Sequence, residues 1–177
     1  QNFFIYLQSR SISAVITNGN IDVLPLTGVS AVLPVEKIQS VVKQFVLNVN
    51  GDSYIVRRSD DGKVYFVDFS APAQVGAHAG KFIVSYENGT NDVIDFIVSV
   101  QPYFVVVDDL GKPLIGVKVL LYESTGGVGT AWPGVKYFQA NPQTTGAQGA
   151  YGFIVAAGNY YLLFEKDVYQ SHTTLRF

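Results

Sequence analysis

The residues able to do chemistry are few, and their spacing argues against a reaction centre. Histidine occurs twice, as His78 and His172, and cysteine not at all. Ser171 adjoins His172, but neighbours on a strand point to opposite faces, so that hydroxyl and that imidazole cannot meet. No nucleophile-elbow motif opens a Ser/His/Asp triad. Two histidines without a cysteine set or carboxylates at recognisable spacing do not build a zinc site. The expectation is a chain that is not an enzyme, with no catalytic residue, cofactor or metal. Structural calcium is the one ion kept open. Oxygen donors alternate in Asn18-Gly19-Asn20-Ile21-Asp22, and Asp60-Asp61, Asp92 with Asp95, and Asp108-Asp109 place carboxylates at turns. The same residue types build turns without any metal, and both readings stand.

Three further features bear on binding. Trp132, the only tryptophan, stands with Tyr137 and Phe138 on a long loop, where the rings either form a stacking platform for a sugar or pin the loop to its own domain. Asn88-Gly89-Thr90 fits the N-glycosylation pattern and equally fits a hairpin turn. Gly126-Gly127-Val128-Gly129 lacks the strand-to-helix setting and the Lys-Ser/Thr of a phosphate loop, so it reads as flexibility. The strongest functional lead is the start of the chain. Phe3, Phe4, Ile5, Tyr6 and Leu7 form an almost unbroken apolar run where most chains are polar and loosely ordered. A strand apolar on both faces is buried on both. It pairs within its own domain, or it extends into a groove of a neighbouring subunit and completes that subunit's sheet.

The elements that must position these residues are strands. Apolar residues make up 48% of the 177-residue chain and charged ones 15%, with eleven Tyr and twelve Phe, which is strand composition. From Gln44 apolar residues alternate through Phe45, Leu47 and Val49, then Tyr54, Val56 and Arg58, then Val64 and Phe66, with turns at Asn50-Gly51-Asp52 and Asp60-Asp61-Gly62. Ile38, Val41, Val42 and Phe45 have helical spacing, but the segment is β-branched and runs into the meander, so it reads mostly as strand. Ala79-Gly80-Lys81-Phe82-Ile83-Val84-Ser85-Tyr86-Glu87 is echoed by Ala157-Gly158-Asn159-Tyr160-Tyr161-Leu162-Leu163-Phe164-Glu165. A glycine with φ > 0 freedom followed by inward-facing rings suits one strand near the end of a Greek-key sandwich. The repeat predicts two tandem all-β Greek-key β-sandwiches, residues 1-102 with an apolar N-terminal strand (1-16), and residues 103-177. Gln101-Pro102 marks the boundary, Ser124 to Gln143 a long loop, and Ser171 to Phe177 a last strand.

The net charge of −2 without a basic stripe predicts no nucleic-acid partner, and no apolar run reaches the ~20 residues of a membrane span. Gln1 stands where a translated product carries Met, which fits a cleaved signal peptide or a fragment of a longer chain; the absence of cysteine suits an exported protein that relies on packing.

Val107-Asp108-Asp109-Leu110-Gly111-Lys112-Pro113-Leu114-Ile115-Gly116-Val117, then Thr144-Thr145, Gly149 to Phe153, Gly158-Asn159-Tyr160-Tyr161-Leu162 and Val168-Tyr169 resemble a carboxypeptidase regulatory-like domain, a transthyretin-like sandwich. Ala157, Gly146 and Val168 stand where that family usually has Pro, Asp and Gly. Tyr86 to Asp92 leading into Val98-Ser99-Val100-Gln101-Pro102 resembles the immunoglobulin-like modules that often precede such domains. The resemblance implies a non-catalytic spacer or recognition role in prokaryotic exported surface proteins. In related collagen-adhesin repeats a Lys and an Asn cross-link beside a Glu. Glu165 matches that Glu, but Val106 stands where the lysine belongs, so no cross-link is expected. The resulting expectation is an extracellular structural subunit of a surface layer, pilus or filament, joined to copies of itself or to neighbouring surface domains by strand pairing. The alternative is a carbohydrate- or protein-binding accessory module of a larger exported adhesin or enzyme.

Overall fold

The computed structural model describes residues 6–9, 13–15, 19–38, 40–137 and 139–177, the first two stretches as backbone course alone. The chain divides into two compact units, Gln1–Gln101 and Pro102–Phe177. Both are all-β; among the described residues the helical content is confined to 3-10 turns at Val35–Lys37 and Gly134–Tyr137.

The first unit carries β1 (Tyr6–Ser9), β2 (Ser13–Val15), β3 (Asn20–Val23), β4 (Gly28–Pro34), β5 (Val42–Val49), β6 (Asp52–Ile55), β7 (Arg57–Arg58), β8 (Val64–Ser70), β9 (Gly76–Tyr86) and β10 (Asn91–Val100). They form two five-stranded sheets, ordered β2-β1-β4-β8-β7 and β3-β10-β9-β5-β6. Every pairing is antiparallel except β3 on β10. Alternation decides what is buried: Val29, Ala31 and Leu33 of β4, Phe45, Leu47 and Val49 of β5, and Phe82, Val84 and Tyr86 of β9 enter one core shared by the two sheets.

Asn50 and Gly51, at φ 50° and 92°, make the two-residue turn between β5 and β6, with Val49 opposite Asp52. The run from Tyr54 to Arg58 is not one strand, however. The Val56 N–H bonds to the Phe45 carbonyl at 3.0 Å and its side chain is buried, while Arg57 and Arg58 pair with β8 in the opposite sheet. The chain thus changes sheets at Val56, because that side chain has the core on offer. Of the segment of helical spacing, Ile38 follows the 3-10 turn Val35–Lys37 in an extended conformation, and Val42 and Phe45 belong to β5.

The second unit carries β11 (Phe104–Val105), β12 (Lys118–Thr125), β13 (Val128–Ala131), β14 (Gln143–Thr144), β15 (Ala150–Tyr151), β16 (Tyr160–Glu165) and β17 (His172–Thr173). β11 pairs with β15; the other sheet runs β13-β12-β16-β17, with β14 also on β12. Val117, Val119, Leu121, Trp132, Tyr160 and Leu162 are its buried core. The supposed flexible loop after Ser124 is largely ordered structure. Gly126 and Gly127, at φ 60° and 90°, form a tight hairpin turn with Thr125 opposite Val128, and β13 follows directly. Beyond it, three alternate side-chain amides take the place of a strand. Gln139 clamps both the N–H and the carbonyl of Ile154 at 2.9 and 2.7 Å, Asn141 those of Leu121 at 2.9 and 2.8 Å, and Gln143 those of Gly152 at 3.0 and 2.6 Å. An amide offers one acceptor and one donor group, as a peptide unit does, so each closes a ring that a sheet ladder would otherwise supply. The final strand is short, with main-chain bonds resuming where Phe177 and Tyr160 exchange N–H and carbonyl at 2.9 and 3.0 Å.

The two echoed phrases become β9 and β16, each flanked on both sides in its sheet. Phe82, Val84 and Tyr86 face inward in one, and Tyr160, Leu162 and the partly buried Phe164 in the other. Their glycines act differently from the expectation: neither Gly80 nor Gly158 is among the glycines at positive φ. A Cβ on Gly80 would lie 2.4 Å from the Phe96 ring, and one on Gly158 2.8 Å from the Tyr160 ring. The glycine is there to let an aromatic ring lie against the backbone.

Candidate functional site

Of the N-terminal run, Phe3, Phe4 and Ile5 lie outside the described residues. The backbone of Tyr6 and Leu7 belongs to β1, which is paired on both sides: Tyr6 opposite Val32 and Val15, Leu7 opposite Ala31 and Ala14. Within the chain this strand completes its own sheet.

Trp132 is buried at 5% exposure. One face of the indole stacks on Tyr137 at 5.1 Å and 8° between planes, and Phe153 meets it edge-on at 6.2 Å. Asn141 holds the Trp132 carbonyl at 2.8 Å. The indole therefore leaves no face free for a sugar, which corrects its reading as a stacking platform and matches the other reading of the same ring. Tyr137 stays part-exposed on the outside of that stack, and Phe138 lies outside the described residues.

Five of the carboxylates considered for calcium, Asp22, Asp61, Asp92, Asp95 and Asp108, are engaged where they stand. Asp61 accepts from the Ser59 hydroxyl at 2.6 Å and the Lys63 N–H at 3.1 Å, and these bonds hold its carboxyl below the usual range. Asp108 accepts the N–H groups of Leu110 and Lys112 at 3.0 and 2.8 Å, closing the turn that Gly111 completes at φ 77°. Asp92 accepts the Tyr86 phenol at 2.6 Å, Asp95 pairs with Lys81 at 3.3 Å, and Asp22 accepts from Gln101 at 2.7 Å. Among the described residues no three of His, Cys, Asp and Glu gather closely enough to hold a metal. Asn88 Oδ1 accepts from both the N–H and the hydroxyl of Thr90, so the hairpin use of that motif is realised.

The two histidines sit in different units and different settings. His78 is buried on β9, with Nε2 donating to the Gln74 carbonyl at 2.6 Å and Nδ1 3.1 Å from the Asn50 side-chain oxygen. His172 is exposed and packs beside Phe164 at 6.4 Å. Glu165 meets Lys118, its partner across β12 and β16, at 3.1 Å.

A cavity of ≈340 Å³ opens in the second unit, and nothing in the residue pattern points to it. Val106, Leu114, Val117, Tyr151 and Phe164 make its apolar floor, and Glu165, Lys166, Tyr169 and His172 its rim. Burial in this apolar setting raises the Tyr151 phenol above its ordinary value. Gly149 is what brings β15 so close to β11: at φ 64°, a Cβ there would lie 2.5 Å from the Val106 carbonyl oxygen. The first unit has clefts of ≈340 and ≈300 Å³ beside Tyr54 and Asp68, but these mix apolar lining with Ser30, Arg57 and the Asp68 carboxylate.

No family model matches the chain, and no curated protein matches it. Among solved structures, the crystal structure of dimeric latent PorU from Porphyromonas gingivalis is similar at 14% identity and a TM-score of 0.37, over 97% of this chain and 20% of that one. The chain spans about a fifth of that protein's length, and a likeness at this score carries no argument about what the chain does.

Proposed function

We propose that this chain is a non-catalytic structural segment of an exported surface or filament protein, built from two sandwich units and joined to its neighbours by β-strand pairing. The first unit is immunoglobulin-like: the order β3-β10-β9-β5-β6 against β2-β1-β4-β8-β7, with β3 parallel on β10, supports that reading. The second is carboxypeptidase regulatory-like, supported by Asp108 and Gly111 acting as turn-builders at the positions where that family carries them.

The observation that carries the assembly reading is the pairing of β1. A four-residue strand at one end of the unit is held between β4 and β2 through its main chain. Main-chain bonds of this kind are indifferent to which chain supplies the strand, so the β1 of a neighbouring subunit can take the same place. Phe3, Phe4, Ile5, Tyr6 and Leu7 then supply the apolar side chains that set its register.

The test is a chain lacking residues 1 to 10. The expected outcome is a monomer that still unfolds cooperatively while the polymers that the intact chain forms, viewed by electron microscopy, disappear. If the truncated chain is unfolded and the intact chain never yields an oligomer, strand-mediated assembly is wrong. The reading as a protein-binding accessory module is favoured by one observation of its own, the apolar cavity of the second unit.

A further inference from the structure

The cavity of the second unit lies beside an unfinished sheet. Gly149 accepts the N–H of Val106, and the Val106 carbonyl accepts the N–H of Leu114, both at 2.9 Å. Polar groups of successive residues on a strand face opposite ways, so those of Val105 and Val107 point to the other side. Among the described residues no strand pairs there, since β11 is the outer member of a two-stranded sheet. Val105 and Val107 are about half exposed. Both residues line the cavity, so the free edge and the apolar floor belong to one opening.

The rim adds a charge. Glu165 is matched by Lys118 at 3.1 Å. The Lys166 ammonium donates to the Ile115 carbonyl at 2.6 Å, and among the described residues no carboxylate lies within ion-pair distance of it. The opening thus presents a row of unpaired main-chain groups, an apolar pocket large enough for one or two bulky side chains, and one uncompensated cation.

We infer that the second unit binds an extended peptide segment, added as a strand along β11, that places a bulky apolar side chain in the cavity and an acidic residue two positions away, on the same face, against Lys166. Main-chain bonds to Val105 and Val107 supply direction and much of the affinity; the pocket and the lysine supply selectivity. A compact apolar molecule fits the pocket but leaves the edge groups of Val105 and Val107 unused, which is why a strand is the better occupant. This inference is independent of assembly through β1: a chain shortened at its N-terminus and unable to polymerise binds the peptide unchanged.

The experiment uses the intact chain and a fluorescent peptide of about eight residues, alternating Thr with Val or Phe and carrying a single Asp two positions from the Phe, on the same face, alongside a twin with Asn in place of that Asp. The expected result is binding in the range of about 10 μM to 1 mM, with slowed amide exchange at Val105 and Val107. Lys166→Glu weakens the Asp peptide about tenfold and leaves the Asn twin unaffected. Val105→Pro removes an edge donor and abolishes binding of both; if that variant does not fold, the exchange map and the Lys166→Glu comparison decide. Binding that is indifferent to Lys166→Glu, protection elsewhere in the chain, or uptake of an anilinonaphthalene dye without any peptide binding overturns the proposal.

Discussion

The strands β9 and β16 follow the same Ala-Gly start with the same alternation of aromatic and aliphatic residues, yet the cores they enter differ. In the first unit, Leu47, Val84, Val98 and Val100 are all but sealed, and the void bordered by Phe45, Val56 and Phe82 is ≈10 Å³. In the second, the inward Phe164 of β16 borders a cavity of ≈340 Å³. The difference lies across from the echoed strand. β9 faces a sheet in which β4 and β8 pair over seven residues, whereas β16 faces β11 and β15, which pair over two. A strand's alternation states which side chains turn inward; whether they find a closed partner layer is decided by how far the opposite sheet extends.

Glycine substitutions at equivalent places in the echo separate the two cores most strongly. Gly80→Ala forces a methyl into the Phe96 ring inside the sealed unit and costs about 1–3 kcal/mol. Gly158→Ala presses on the Tyr160 ring near an exposed bend, where the ring can shift, and costs a fraction of that. Urea midpoints measure both, and equal losses would dissolve the contrast. Enlarging a side chain probes the same difference in the opposite direction. Val98→Leu overpacks a position with 0% exposure and destabilises by about 1–2 kcal/mol. Val106→Leu grows toward the cavity and is neutral or stabilising by about 0.5 kcal/mol.

The smallest effect is expected from alkaline titration. Burial first, and then the hydrogen bond and charge of Asp92, push the Tyr86 phenol up to about 12. An unfolded tyrosine releases its proton near 10, so the unfolded chain loses that proton first. Tyr86 therefore contributes its full share of stability below pH ~10 and loses it as the pH climbs toward about 12. Tyr86→Phe has a shallower fall in urea midpoint across that window than the natural chain. Tyr160 is shifted in the same direction, by burial and then by the charges of Glu123 and Tyr137, and Tyr160→Phe gives the smaller change of slope.

Much of this molecule was legible because its signals are local. Alternation placed Phe45, Leu47, Val49, Phe82 and Val84 in a core, and Asn50-Gly51 and Asn88-Gly89 marked turns through backbone preferences that need no tertiary partner. Readings that depended on a distant neighbour fared worse. Gly126-Gly127 is a hairpin turn because β12 and β13 meet, and a pair of glycines alone does not distinguish a turn from slack. Gln139, Asn141 and Gln143 read as loop polarity until the backbone groups of Ile154, Leu121 and Gly152 lie within reach. Trp132 reads as platform or anchor until Tyr137 and Phe153 are seen against it.

Residue order by itself determined the strand class, the inward positions, several turns and the repeated strand, since each follows from the two-residue period of a strand and the conformational range of Asn and Gly. Tertiary structure alone decided that β1 completes its own sheet, that Val56 carries the chain from one sheet to the other, and that an apolar opening adjoins the free edge of β11. The reason is physical. A free edge and a cavity are defined by what fails to arrive from elsewhere in the chain, and no residue encodes the absence of a distant partner.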